Sequence, residues 1–235
     1  MANFSFNITA GASQSTSLPL LPGNEIHEVV FSEAIAEDIQ GVADTSKVFK
    51  VINIIFKNDK GMFKHTVWEP REEDFDRRKT EFTGKDGKIS TIENPSNVET
   101  MMLLFKHIID VVNPAIGKQI DSGEKNLGAK DWDGIRKLVC DIMNVGKETS
   151  TKIKLLTNKK GEACFPGFFT SLTKEGKPYI KNNFVGNKIG FTAYEAGRIK
   201  NEATSKPTKT NELDKFSASD ASDDLDFDSA ELDNL

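Results

Sequence analysis

From Lys47 to Glu69 the chain reads as a β-hairpin before anything else about it is known. The run KVFKVINIIF is rich in β-branched and aromatic residues, Asn58-Asp59-Lys60-Gly61 supplies turn chemistry, and MFKHTVWE resumes with apolar positions in alternation. Around this hairpin the hydrophobic period changes twice. In residues 94–146, Val98, Met101, Met102, Phe105, Ile108, Ile109 and Val112 fall on one helical face, opened by Asn94-Pro95 and stopped by Pro114. A second helix is predicted from Asp131 as N-cap through Ile135, Leu138, Val139, Ile142 and Met143 to Gly146, with a loop from Gly117 to Lys130 between the two.

After Ser150 the strand period returns in TKIKLLT, the turn Asn158 to Gly161, EACFPGFFTSL, the turn Lys174 to Lys177, PYIKNNF and NKIGFTAYE. At the front, Phe4, Phe6 and Ile8 alternate strictly and a Ser-rich stretch runs to Pro22-Gly23, which predicts an edge strand and a loop. Residues 25–40 leave two readings open, since Val29-Val30-Phe31 suits a strand and AIAEDIQ a short helix. Gly84 to Gly87 predicts a turn between two short strands. Strands, then helices, then strands predict a β-rich α+β fold: an OB-like small β-barrel over residues 1–202, with a helical insertion at about 94–146. From Ala203 onward little is left to bury, which predicts a linker over 203–215 and a disordered acidic tail over 216–235.

The formal charge of −5 hides an uneven distribution. Residues 211–235 hold nine acids and one Lys, whereas 151–210 hold twelve Lys/Arg and four Glu, so local nets of −8 and +8 lie side by side. Such asymmetry points to a polyanion partner with an internal competitor for it. The two cysteines, Cys140 and Cys164, provide neither a disulfide framework nor a four-cysteine zinc site. MANFSFNITAG lacks a basic n-region, and no stretch approaches the roughly 18 apolar residues of a spanning helix. The expectation is a cytoplasmic protein, of the host cell if viral, with no membrane partner.

Catalytic groups are hard to assemble from this sequence. His27, His65 and His107 have no recognised metal spacing; His107 reads as structural and His65 as a solvent-facing sheet residue. Glu72, Glu73, Asp74 and Asp76 contain the carboxylates a metal-dependent nuclease needs, yet they alternate with Arg71, Arg77 and Arg78, the pattern of a mixed-charge solvated loop. Val145-Gly146-Lys147-Glu148-Thr149 fails as a phosphate-binding loop, because the first glycine of that motif falls on Asp141 inside a helix. The chain is therefore read as a non-enzyme with no cofactor and no metal.

Binding chemistry remains, concentrated in 151–200. Cations that track phosphates and aromatic faces that stack on unpaired bases, worth roughly 1–3 kcal/mol per base, are what single-stranded nucleic acid requires. The candidates are Lys152, Lys154, Lys159, Lys160, Lys177, Tyr179, Lys181 and Lys188, with Trp68 from the hairpin. Alternation in TKIKLLT places Lys152 and Lys154 together on an outward face, and Tyr179 shares a face with Lys181. Lysine outnumbers arginine and no recognition helix has a basic face, which favours backbone tracking over base-edge readout.

In SASDASDDLDFDSAELDNL seven acids occur with no base, and Leu225, Phe227, Leu232 and Leu235 are spaced among them. That pattern predicts a peptide that docks by Leu225, Phe227, Leu232 and Leu235 and is steered by Asp223, Asp224, Asp226 and Asp228. In architecture and tail composition the chain resembles the replication single-stranded DNA-binding proteins, especially those of bacteriophages. The bacterial-type ending Asp-Ile-Pro-Phe is absent. The resemblance implies a protein of DNA replication, recombination or repair that coats single-stranded DNA. It implies a tail that recruits polymerase, helicase or primase and competes with DNA for the basic groove. The rival expectations are a virion or scaffold interaction protein and the nuclease built on Glu72 to Asp76.

Overall fold

The computed structural model describes residues 18–41, 44–166, 170–180, 184–187 and 189–204. The expected hairpin is present as β2 (Val48–Lys57) and β3 (Met62–Trp68), paired from Val51↔Trp68 to Lys57↔Met62. Asn58 makes the turn: its side-chain oxygen accepts from the N–H groups of Lys60 and Gly61.

Residues 25–40 form one strand, β1 (Glu25–Gln40), and the helical alternative for AIAEDIQ is corrected. Ala34 through Gln40 pair residue by residue with Ile54 through Val48 of β2, so ladder hydrogen bonds override local helix preference. A bulge between Phe31 and Glu33 bends β1, which then serves both halves of the sheet. Its first residues, Glu25–Val30, pair with β6 (Ser150–Thr157), and its later ones with β2. Past Val30, which pairs with the first residue of β6, Asn144 takes over as a side-chain substitute for a strand, accepting from Ala34 N–H and donating to Ala34 C=O, both at 2.8 Å.

With β7 (Ala163–Cys164), the strands run β3-β2-β1-β6-β7 in a strongly curled, five-stranded antiparallel half-barrel. Phe165, one residue past β7, reaches the other edge strand: its ring lies 4.8 Å from Phe63. Two small hairpins complete the strands, β4 (Arg78–Thr83) with β5 (Ile89–Asn94), and β8 (Thr170–Leu172) with β9 (Pro178–Ile180).

Helices α1 (Asn97–Val112) and α3 (Trp132–Asn144) stand where the 3.6 period placed them. Ser96 caps α1 reciprocally with Glu99, and Asp131 caps α3 by accepting from Gly134 N–H. The loop expected from Gly117 to Lys130 is corrected at its start, because α2 (Pro114–Asp121) begins at the proline that ends α1. Proline lacks the N–H that the first helical position leaves unbonded, so it starts a helix as readily as it stops one. The strand expected in NKIGFTAYE is likewise corrected: α4 (Ala193–Thr204) starts there, capped by Thr192 and Glu195. It runs two residues into the stretch read as linker. The core lies between the sheet and the first and third helices, where Phe31, Ile54, Phe56, Phe105, Ile108, Val139, Met143 and Ile153 are buried. No described helix is long and apolar enough to cross a membrane.

Candidate nucleic-acid interface

The register of β2 and β3 decides which side chains can meet a ligand. Residues directly opposite one another share a face, so Val51 and Trp68, Asn53 and Thr66, and Ile55 and Lys64 lie on the side opposite to Ile52, Ile54 and Phe56, with Val51 and Asn53 themselves buried. On this outer face Trp68 is 54% exposed and Phe49 42%, and their rings meet edge to face with centroids 5.8 Å apart. Below them Thr66 donates to Asn53 Oδ1 at 2.7 Å and Asn53 donates to Glu37, which fixes a polar middle to the face. Lys64 is exposed beyond it. The sequence identified Trp68 but missed Phe49 and Lys64; hairpin register, once the turn at Asn58 is fixed, was the signal that could have grouped them.

The lysines expected to track phosphate divide. Lys159 and Lys160 are exposed in the turn between β6 and β7 and enter no ion pair among the described residues. This turn lies at the same end of the sheet as exposed Lys60 of the β2–β3 turn. The five residues Leu20–Asn24 connect the two, since Leu20 bridges Met62 and Asn24 accepts from Thr157 N–H. Lys177 and Tyr179 are exposed and alternate on β9 and the turn before it. Arg77 anchors that hairpin to the first turn of α1, donating to Gly176 C=O at 3.0 Å and to Glu99 at 2.6 Å. The guanidinium holds the Glu99 carboxyl below its usual range. Lys152 is half-buried and ion-paired with Glu28 at 2.7 Å, which also lowers that carboxyl's pKa.

Lys154 does not face outward, and its placement is corrected. The side chain is 1% exposed; Nζ lies 2.7 Å from Glu195 Oε2, donates to Gly190 C=O at 3.1 Å, and sits 5.9 Å from the Phe191 ring centroid. Alternation put Lys154 opposite Ile153 correctly, but the segment around Gly190 and the start of α4 cover that second face. Lys181, Lys188 and the tail residues Asp223, Asp224, Leu225, Asp226, Phe227, Asp228, Leu232 and Leu235 lie outside the described residues.

His65 is also corrected. Its ring is half-buried against Phe165, with centroids 5.1 Å apart, rather than presented to solvent. Burial pushes its pKa from 6.5 down to about 4. The folded protein then refuses a proton that the unfolded chain accepts, so stability is full above pH 6.5 and falls as pH drops from there toward 4. The loss expected from this group is of order 2–3 kcal/mol. Urea midpoints at pH 7 and pH about 4.5 should differ less in His65→Gln than in the parent. An unchanged difference between the two pH values would rule the histidine out as the cause.

Glu72–Phe75 forms a 3-10 turn, not an open loop. Asp74 accepts from Asn97 Nδ2 and from Arg71 N–H, which hold its carboxyl below the usual range, and Arg71 pairs with Glu73 at 2.9 Å. Glu73 and Asp74 are thus engaged in local structure. Among the described residues no three His, Cys, Asp or Glu side chains gather in a metal-holding arrangement.

The described surface thus combines an exposed aromatic pair with lysines at one end of the sheet that enter no ion pair among the described residues, groups of the kind that stack bases and neutralise phosphates. In comparison with known proteins, no protein-family model, no curated protein and no solved structure matches the chain.

Proposed function

We propose that this protein binds single-stranded DNA without sequence preference, in replication, recombination or repair. The observation that carries the reading is the exposed Phe49–Trp68 pair on the outer face of β2 and β3, because two adjoining aromatic rings offer unpaired bases a surface on which to stack. Two further features support it. The sheet order β3-β2-β1-β6-β7, with helices inserted between β3 and β6 and Phe165 spanning the open edges, suits an OB-like partly open barrel. Barrels of that kind bind oligonucleotides on the face of their second and third strands and on adjoining loops. Lys64, Lys60, Lys159 and Lys160 provide cations along that face and at its end.

In this reading the acidic tail competes with DNA for the lysines and recruits polymerase, helicase or primase when DNA displaces it. Removing residues 216–235 should raise affinity for oligo(dT) at low salt, measured by fluorescence anisotropy, with the gain shrinking as salt screens the charges. Unchanged or weaker binding by the truncated chain would remove the competition. A gel-shift series with oligo(dT), duplex DNA and RNA, with and without magnesium, tests the function itself. Retention of oligo(dT) alone supports it, no retention favours a virion or scaffold role, and magnesium-dependent cleavage favours the nuclease.

A further inference from the structure

Strand β3 ends one side of the curled sheet, and beyond Met62 its outer edge meets no other strand among the described residues. Glu69 N–H donates to Lys50 C=O, so by antiparallel alternation the backbone groups of residues 63, 65, 67 and 69 face β2. Those of 62, 64, 66 and 68 face outward. At Met62 the outward groups are satisfied, with Met62 N–H donating to Pro19 C=O and Leu21 N–H to Met62 C=O. For Lys64, Thr66 and Trp68 no partner to the outward groups occurs among the described residues.

Along the same edge runs an open groove of about 530 Å³ between β3 and the first half of α1. Its floor is apolar, with Val67, Val98, Met101 and Leu104; Phe49, Thr66 and Trp68 line it from the sheet side, and its lip, Glu69, Arg71 and Asp74 continued by Glu72 and Glu73, is net acidic. A bare strand edge beside an apolar trough is the geometry that accepts an extended segment with apolar residues at alternate positions.

Two terminal segments of this chain lie outside the described residues. The tail, with nine acids over 211–235, is repelled by the lip. Residues 1–17 carry no charged side chain and contain Phe4, Phe6 and Ile8 in strict alternation. They join the described chain at Leu18, two residues before the Leu20↔Met62 bridge at the beginning of β3. The nine residues Thr9 to Ser17 span up to about 30 Å, enough to turn back along a strand about 20 Å long. A tether of that length holds the segment at an effective concentration on the order of millimolar.

We propose that residues 4–8 add to β3 as a further antiparallel strand, with Phe4, Phe6 and Ile8 in the groove against Val98, Met101 and Leu104. Ser5 and Asn7 then continue the outer face beside Thr66 and Trp68. The inference does not depend on nucleic-acid binding, and its test contains none.

Hydrogen exchange of the full chain, followed by mass spectrometry, reads the outward amides of Lys64, Thr66 and Trp68. Combining Phe4→Ser, Phe6→Ser and Ile8→Ser should speed their exchange at least about tenfold, with the amides of Val51 to Phe56 unchanged as a check on folding. Fast exchange in the parent, or protection that survives the triple substitution, overturns the proposal. Protection lost on dilution assigns the edge to a second copy and overturns it as well. A second measurement needs no destabilised variant: Thr66→Cys with Ser5→Cys, or with Asn7→Cys, should form an intramolecular disulfide under mild oxidation. Failure of both pairs to close contradicts the strand.

Discussion

Replacing Lys154 by alanine should cost the protein about 3–5 kcal/mol of stability, the usual loss when one partner of a buried ion pair is removed. The lysine is 1% exposed and its ammonium lies 2.7 Å from a Glu195 carboxylate that is itself buried. Without it, that carboxylate is left desolvated at the first turn of α4. Exchanging both partners for apolar residues of similar volume, Lys154→Met with Glu195→Leu, should recover most of the loss, because no charge is then stranded. Urea denaturation of the two variants reads the difference directly. A single-variant loss below about 1 kcal/mol, typical of an exposed pair, would show that α4 does not seal this face of β6.

Trp68→Ala should weaken oligo(dT) binding by about 1–3 kcal/mol, roughly five- to 150-fold, while stability changes little because half the ring is already in water. Phe49→Ala should cost less alone and act non-additively with Trp68→Ala, since the rings touch at 5.8 Å and one braces the other. Lys160→Ala should behave differently in kind. Its effect is expected to be smaller and to appear as a salt slope shallower by about 0.7, one phosphate contact on a single strand. Equal affinity of Trp68→Ala and the parent would leave the outer face without a role.

What could be read from the sequence was what is decided locally. The β2–β3 hairpin, the helical faces of α1 and α3, and the cap at Asp131 follow from period and turn chemistry within a dozen residues, whereas the cap of α1 is Ser96, just past the Asn94-Pro95 read as its opening. Where partners come from far along the chain, local reading failed. AIAEDIQ has helical preferences, but β2 offers it a ladder and Asn144, 110 residues away, caps its free edge. Alternation in TKIKLLT assumed one wet face, and a segment 36 to 41 residues later covers it over Lys154. The start of α4 carried a local signal after all, the Thr192-x-x-Glu195 capping box, masked by the aromatic residues around it.

The candidate site shows the same division. Exposed Lys159, Lys160, Lys177 and Tyr179 occupy the turns and hairpin where polar punctuation placed them. Phe49 joins Trp68 only through cross-strand register, and His65 leaves the surface only because Phe165 arrives from past β7.

The most direct measurement is a fluorescence titration of the full chain, with the Trp68 share of the emission taken as its difference from Trp68→Phe, which retains Trp132, using oligo(dT) and duplex DNA of the same length at two salt concentrations. Quenching by oligo(dT), with affinity at least about a hundredfold above that for duplex and falling as salt rises, is the predicted result. Equal affinity for the two forms, or binding that leaves the Trp68 emission untouched, would contradict a single-stranded DNA platform on β2 and β3.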